Sequence, residues 1–243
     1  MKERELFANL ITIPPVFIRI DGRAFHSVAE DLGLEKPFDS GFSGAMERVC
    51  IRFLRESGLS PDLAYTFSDE ISLYFSHLPF GGRVEKIDSI SASFGASALM
   101  LEIAIEEPLS FDARIIQVTP EMAVDYLINR QSEAWRNHLN AYCQNALVRE
   151  GSSRKEAAKK LRGLASRDLH EFMYSRGVNL AKTPAWERRG VLVYKQLRNV
   201  EGFNPIKGEL VESLRTAVVS ERNLPVFSSP EGRTFLGDLI RCL

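Results

Sequence analysis

VFIRIDGRAFH, residues 16–26, is the stretch that decides the fold. Val16 to Ile20 are β-branched or aromatic apart from Arg19, the composition of a buried strand. Pro14 and Pro15 just upstream block a helix there. The run ends on Asp21-Gly22, with Arg23 and His26 close behind. A buried strand that closes on a carboxylate beside a glycine presents that carboxylate at a sheet edge, where backbone and ligand can approach closely.

Working outward, residues 23–38 read as a loop ending near Pro37. From Ser40 a helix is predicted, since Phe42, Met46, Val49, Cys50, Phe53 and Leu54 recur at spacings of three and four, and Gly58 suits its end. LAYTF (63–67) and ISLYF (71–75) flank Ser68-Asp69-Glu70 as a tight hairpin. Gly81-Gly82 precede a second helix whose face is marked by Val84, Ile87, Ile90, Phe94, Ala98 and Leu101. ARIIQV (113–118) is a fourth strand. The order β-α-β-β-α-β is the ferredoxin-like pattern, an α+β two-layer fold. A right-handed crossover makes the first two strands parallel, and the hairpin brings the third beside the first. Asp21 and Asp69 are therefore expected at one edge of the sheet.

Beyond the sheet, Thr119-Pro120 opens a long helix running to Gly151, with a break expected near Asn129. Ser153 and Glu156 form a capping box for another helix, and SRDLHEFMYSRG (166–177) makes a third. Residues 188–195 read as a strand and 208–218 as a helix. The expected division is a catalytic region over 1–130 and a helical, basic region over 131–243, packed together as one unit.

The 243 residues are 44% hydrophobic, ample for a core. No apolar run reaches the roughly 18 residues a membrane helix needs, and the charged start MKERELFANL lacks a signal-peptide core. Cys50, Cys143 and Cys242 are odd in number and scattered, which argues against disulfides or a zinc site and for a cytoplasmic location. Net charge is −1, yet residues 130–198 carry 15 Lys and Arg against 6 Asp and Glu. Such asymmetry suggests a basic module beside an acidic one, or two solvated faces of one domain.

Two carboxylates at one sheet edge can serve as an acid–base pair, hold divalent metal for phosphoryl transfer, or be unrelated surface charges. Their neighbours favour phosphate chemistry. Arg19, Arg23 and His26 supply donors, the Gly22 carbonyl can complete an oxygen shell, and backbone N–H groups of residues 22–26 can cradle phosphate. Arg83 and Lys86 sit in the first turn of the second helix, against its dipole, which an anion bound there would explain. There is no P-loop, no G-x-G-x-x-G and no nucleophile elbow, and none of the four histidines has metal-ligand spacing.

RIDGRAFH, EKPFD, FSDEISLYF, GRVEKIDSISASFGASAL, FDARIIQV and ERRGVLVY, in that order from Arg19 to Tyr194, together resemble the tRNA-histidine guanylyltransferase family. The resemblance implies a polymerase-like palm that adds nucleotides in the 3′–5′ direction. By it, Asp21, the Gly22 carbonyl and Asp69 bind two Mg²⁺, and Glu70 joins Asp21 and Asp69 in catalysis. Arg19, Gly22, Arg23, Ala24, Phe25, His26, Lys36, Asp39, Ser68, Asp69, Arg83, Lys86 and Arg114 bind nucleotide. Arg130, Arg136, Asn137, His138, Arg154, Lys155, Lys159, Lys160, Arg188 and Arg189 hold tRNA. ATP and GTP are the implied substrates, and a homotetramer without membrane contact the implied assembly. WRNHLNA (135–141) departs from the eukaryotic H-I-N-N-L-Y-N block and looks like the archaeal and bacterial branch, which repairs 5′-truncated tRNAs by templated addition. A palm-fold nucleotide cyclase and a non-catalytic RNA-binding protein are the alternative readings.

Overall fold

The computed structural model describes residues 4–204 and 208–242; the side chains of residues 26, 200–204 and 210–212 lie outside the described set. The first six predicted elements form where expected: β1 (Val16–Gly22), β2 (Leu63–Phe67), β3 (Glu70–Phe75) and β4 (Phe111–Gln117), with α2 (Ser40–Arg55) and α3 (Val84–Ile103) as the crossovers. All pairings are antiparallel, β3 lies between β1 and β2, and with β5 (Val191–Asn204) and β6 (Glu209–Glu221) the sheet order is β4-β1-β3-β2-β5-β6.

Strand alternation sorts side chains onto two faces. Ile18, Ile20, Ile71 and Leu73 pack against Phe53, Val49 and Leu99 of α2 and α3. Phe17, Tyr65 and Tyr74 pack on the other face beneath α4 (Pro120–Arg149) and α8 (Pro230–Arg241), with Phe17 stacked on Tyr126 at 4.1 Å. Burying each such aromatic or branched residue contributes about 1.5–3 kcal/mol. The βαββαβ unit thus has a second cover on its open face, drawn from the C-terminal half. The distal part of α4 packs with α5 (Arg154–Leu161) and α6 (Ser166–Tyr174) around Leu139, Cys143, Leu161 and Leu169. Thr119 caps α4 by accepting from the Met122 N–H, and the Ser153–Glu156 capping box is present. No helix among the described residues is long and apolar enough to cross a membrane.

Four local expectations are corrected. Residues 25–31 form α1 (Phe25–Asp31) rather than loop, entered through Ala24 at φ 58°. No break occurs near Asn129, because α4 runs unbroken over 30 residues with its inner face held against the sheet. Leu101 is exposed, at the solvent end of α3. The helix expected at 208–218 is β6 (Glu209–Glu221), paired along its length with β5 (Val191–Asn204). A ladder with a distant strand supplies hydrogen bonds that local spacing does not reveal, and it overrides weak helical periodicity. β5 joins the sheet edge through Val191–Tyr194 against β2, following the short α7 (Ala185–Arg189).

Candidate active site

The end of β1 is a row of acids. Asp21 stands opposite Glu70 of β3 on one side and Asp112 of β4 on the other. Like charges directly opposed destabilise a ladder, and cations surround this one. Two residues back along β1, Arg19 stands opposite Arg114, and Arg114 Nε donates to Asp112 Oδ1 at 3.1 Å. From α4, the buried Arg130 sends Nη1 to within 3.5 Å of Glu70 Oε2 and Nη2 to 2.7 Å from Glu133 Oε2. Burial nevertheless pushes the Glu70 carboxyl up to about 7, partly offset by Arg130 and Arg19. Arg19 Nε, Arg130 Nε and Glu70 Oε1 are buried without hydrogen-bond partners among the described residues.

Asp69 occupies the two-residue β2–β3 turn, which Ser68 enters at φ 53°. The Ser68 hydroxyl donates to Asp69 Oδ1 at 2.9 Å. Burial raises the Asp69 carboxyl above its ordinary range, the Ser68 bond opposes this, and the Asp21 charge adds to it. A Cβ placed on Gly22 would stand 2.8 Å from Asp69 Oδ2 and would overlap the Phe25 ring. Only glycine permits this approach, and it brings Asp21, Gly22 and Asp69 together.

Two close, partly desolvated carboxylates beside a backbone carbonyl form an all-oxygen donor set suited to a hard divalent cation. Among the described residues no group of three or more His, Cys, Asp or Glu is arranged to hold a metal. The protein's share would therefore be Asp21, Asp69 and the Gly22 carbonyl, leaving other positions to water and phosphate oxygens. Mg²⁺ is commonly held in this way, and the residues fit it.

Asp69 also lines a cavity of about 500 Å³, open between the sheet end, α1, α2, α4 and α7. Its walls include Phe25, Lys36, Phe38, Phe42, Ser68, Asn137, Asn140, Gln144 and Trp186. Asp39 lines it too, while capping α2: Oδ1 accepts from the Phe42 N–H at 2.8 Å and Oδ2 from the Glu35 N–H at 3.0 Å. The Phe42 bond does most to hold its carboxyl below the usual range.

Residues 1–119 match the family model described as tRNAHis guanylyltransferase, and residues 121–224 match the Thg1 C terminal domain. The chain belongs to the tRNAHis guanylyltransferase family. It is accordingly a nucleotidyltransferase, and the non-catalytic reading is set aside. It is 32% identical over 195 residues to a probable tRNA(His) guanylyltransferase of Dictyostelium discoideum, covering 74% of this chain and 75% of that one. It is 27% identical to the Schizosaccharomyces pombe tRNA(His) guanylyltransferase, over 90% of this chain and 88% of that one. The fold matches a bacterial tRNA(HIS) guanylyltransferase-like protein in complex with ATP at TM-score 0.75 and 22% identity, covering 99% and 96% of the two chains. It matches the Saccharomyces cerevisiae enzyme at TM-score 0.68 and 25% identity, covering 76% and 87%.

The guanylyltransferase-family residues read from sequence divide into those the fold assembles and those it separates. Asp21, Gly22, Phe25, Lys36, Asp39, Ser68, Asp69, Glu70 and Asn137 gather at the sheet end and its cavity. Arg19 and Arg114 stand two residues back, and Arg23 and Ala24 are exposed between β1 and α1. The His26 side chain is outside the described set. Arg83 and Lys86 lie at the other end of the sheet, where Arg83 pairs with Ile11 and Val84 N–H donates to the Leu10 carbonyl. The length of β1, roughly 20 Å, separates them from Asp21 within one chain.

On the basic half, Arg136, Asn137, Lys155, Lys159 and Lys160 are exposed, and Arg154 pairs with Glu30. Arg188 and Arg189 brace the fold through the Thr183 and Leu224 carbonyls. Arg130 and His138, expected on a tRNA-facing surface, are buried instead. The Thr183 hydroxyl donates to the Leu180 carbonyl, so His138 Nε2 donates to Thr183 Oγ1 at 2.9 Å, and its neutral ring packs on Phe38 and Trp135. Burial, with Arg188 and His170 nearby, pulls its pKa down to about 4. Phe38, Asn140, Gln144 and Trp186 went unnoticed in the sequence. Asn140 and Gln144 follow Asn137 at spacings of three and four, a signal that could have found them.

Proposed function

We propose that this chain adds a nucleotide, GMP from GTP, to the 5′ end of tRNA in a Mg²⁺-dependent reaction. The observation that carries the reading is the approach of Asp69 Oδ2 to the Gly22 backbone, next to Asp21 at the sheet end, with Asp69 also lining the cavity. Two Mg²⁺ bound there would neutralise phosphate charge and activate the attacking oxygen. The chain's own residues set the geometry. Glu70 and Arg130 fix the Asp21 end of β1 from behind. Lys36, Arg23, Ala24 and the backbone of residues 22–26 receive the triphosphate, and Phe38 and Phe42 give the base an apolar wall.

The reaction best suited to such a site has two displacements. The tRNA 5′-monophosphate attacks the α-phosphorus of ATP and releases pyrophosphate. The GTP 3′-hydroxyl then attacks the activated 5′ phosphorus and expels AMP, after which pyrophosphate is removed from the added residue. Solved complexes of bacterial relatives with ATP and with GTP support both nucleotides as substrates. The region over 1–130 carries the chemistry and that over 131–243 holds RNA through exposed cations. The resemblance to the archaeal and bacterial branch supports templated repair of 5′-truncated tRNAs, a homotetramer, and a cytoplasmic setting where the buried thiols of Cys50 and Cys143 stay reduced.

The test supplies 5′-monophosphorylated tRNA-His lacking its extra residue, ATP, labelled GTP and Mg²⁺, with truncated tRNA-Phe in parallel. Label at the 5′ end of both, following the opposing base, is the expected result. Label on tRNA-His alone would mean maturation without repair, and label on neither would overturn the reading.

A further inference from the structure

Two cavities meet along α4. The first contains Asp69; the second, about 560 Å³, lies between α4, α5 and the start of α6. Asn140 and Gln144 line both, so the two adjoin at these side chains. The two differ in charge. Glu35, Asp39, Asp69 and Glu187 line the first cavity with one cation, Lys36, whereas Arg136 and Arg162 line the second and no Asp or Glu does. Asp168, whose carboxylate accepts from the Ala165 N–H at the start of α6, is not among the lining residues. Among the described residues neither guanidinium is in an ion pair. Asn140 Nδ2 donates to the Arg136 carbonyl at 3.0 Å, which leaves Oδ1 for a guest.

We infer that the second cavity is a phosphodiester subsite for the strand whose 5′ end reacts beside Asp69. Arg136 and Arg162 engage a backbone phosphate, and Asn140 and Gln144 engage the sugars or base edges between the two cavities. The inference rests on the reading that the reacting end belongs to a polynucleotide. Guanidinium groups match phosphate in charge and geometry, and side-chain amides serve sugar and base edges. From Asn137 to Gln144 the helix rises about 10 Å, the span of about three nucleotides at roughly 3.4 Å each. The contacted phosphate therefore falls within the first few linkages from the 5′ end, out of reach of a triphosphate seated at Asp21 and Asp69.

The experiment measures binding of a 5′-phosphorylated acceptor-stem RNA hairpin by fluorescence anisotropy at several salt concentrations. It compares the wild-type chain with Arg162→Gln, and repeats both with hairpins carrying one uncharged methylphosphonate at each of the first linkages in turn. Arg162→Gln should weaken binding about tenfold and lower the salt slope by about one. One particular neutral linkage should weaken the wild type by more than Arg162→Gln does, and should cost the variant, which keeps Arg136, less than it costs the wild type. GTP affinity should stay within about twofold. Unchanged RNA affinity, equal losses at every linkage, or a parallel loss of GTP affinity would overturn the subsite. Because the readout is binding, failure of the wild type to add a nucleotide would count against the proposed reaction and leave this test in force.

Discussion

Arg130 Nη1 lies 3.5 Å from Glu70 Oε2, so a helix of the C-terminal half holds a carboxylate of the β2–β3 hairpin. The same guanidinium reaches Glu133 at 2.7 Å and lies over the Phe67 ring at 5.8 Å. Arg130→Met leaves the buried Glu70 with Arg19 alone of the two cations that offset its charge, and breaking a buried pair costs about 3–5 kcal/mol. Urea unfolding should show a loss near the lower end, because Glu133 is exposed. Arg130→Lys should restore only part of it, since one ammonium does not reproduce a planar fork to two carboxylates. Equal stability of Arg130→Met and wild type would remove the pair from the account of the fold.

Gly22→Ala tests the close approach at the site. The added methyl meets the Phe25 ring and stands 2.8 Å from Asp69 Oδ2, so β1 or the β2–β3 turn must shift. A displacement of about 1 Å at reacting groups costs on the order of a hundredfold in rate. Turnover should fall by at least that factor while circular dichroism stays that of the wild type.

Asp69→Asn separates chemistry from stability. Burial already disfavours the charged Asp69 carboxylate, so without divalent ions the variant should unfold at the same temperature or higher. Turnover should drop at least about a hundredfold, and the rise in Tm that Mg²⁺ gives the wild type by binding the native state should disappear. A Mg²⁺-dependent Tm in the variant would place the ion elsewhere.

The buried His138 makes stability depend on pH. Its folded pKa is about 4 against an ordinary value of 6.5, so between these values the unfolded chain binds the extra proton. Stability is therefore fully present above pH 6.5 and is lost as pH falls toward 4, by at most about 3 kcal/mol for this group. Denaturant titrations at pH 7.5 and 5 should show a smaller drop for His138→Asn than for the wild type. An identical drop would mean that other groups account for the acid sensitivity.

Much of the N-terminal half was legible because its signals are local. VFIRI, LAYTF and ISLYF declare strands by composition, and α2 declares itself by apolar spacing. The handedness of the crossover then brings Asp21 to the hairpin turn, where Asp69 and the Gly22 backbone are found in contact range. The C-terminal half was less legible. β6 is held by a ladder to β5, and neither strand shows that partnership in its own residues. Arg83 and Lys86 looked like phosphate ligands because helix position was known and the end of the sheet was not.

By itself, then, the chain's order of residues determined the βαββαβ core, the two acids at its edge and the caps of α4 and α5. These depend on periodicity and on contacts within a few residues, which sequence spacing encodes directly. Only the tertiary structure decided that Arg130 and His138 face inward, that Asp112 completes the acidic row, and that Asn140 and Gln144 join two cavities. Which side of a long helix meets the sheet, and which cations remain in solvent, follows from how whole elements dock. That choice is made by the summed burial of residues far apart in the chain, and no single stretch carries it.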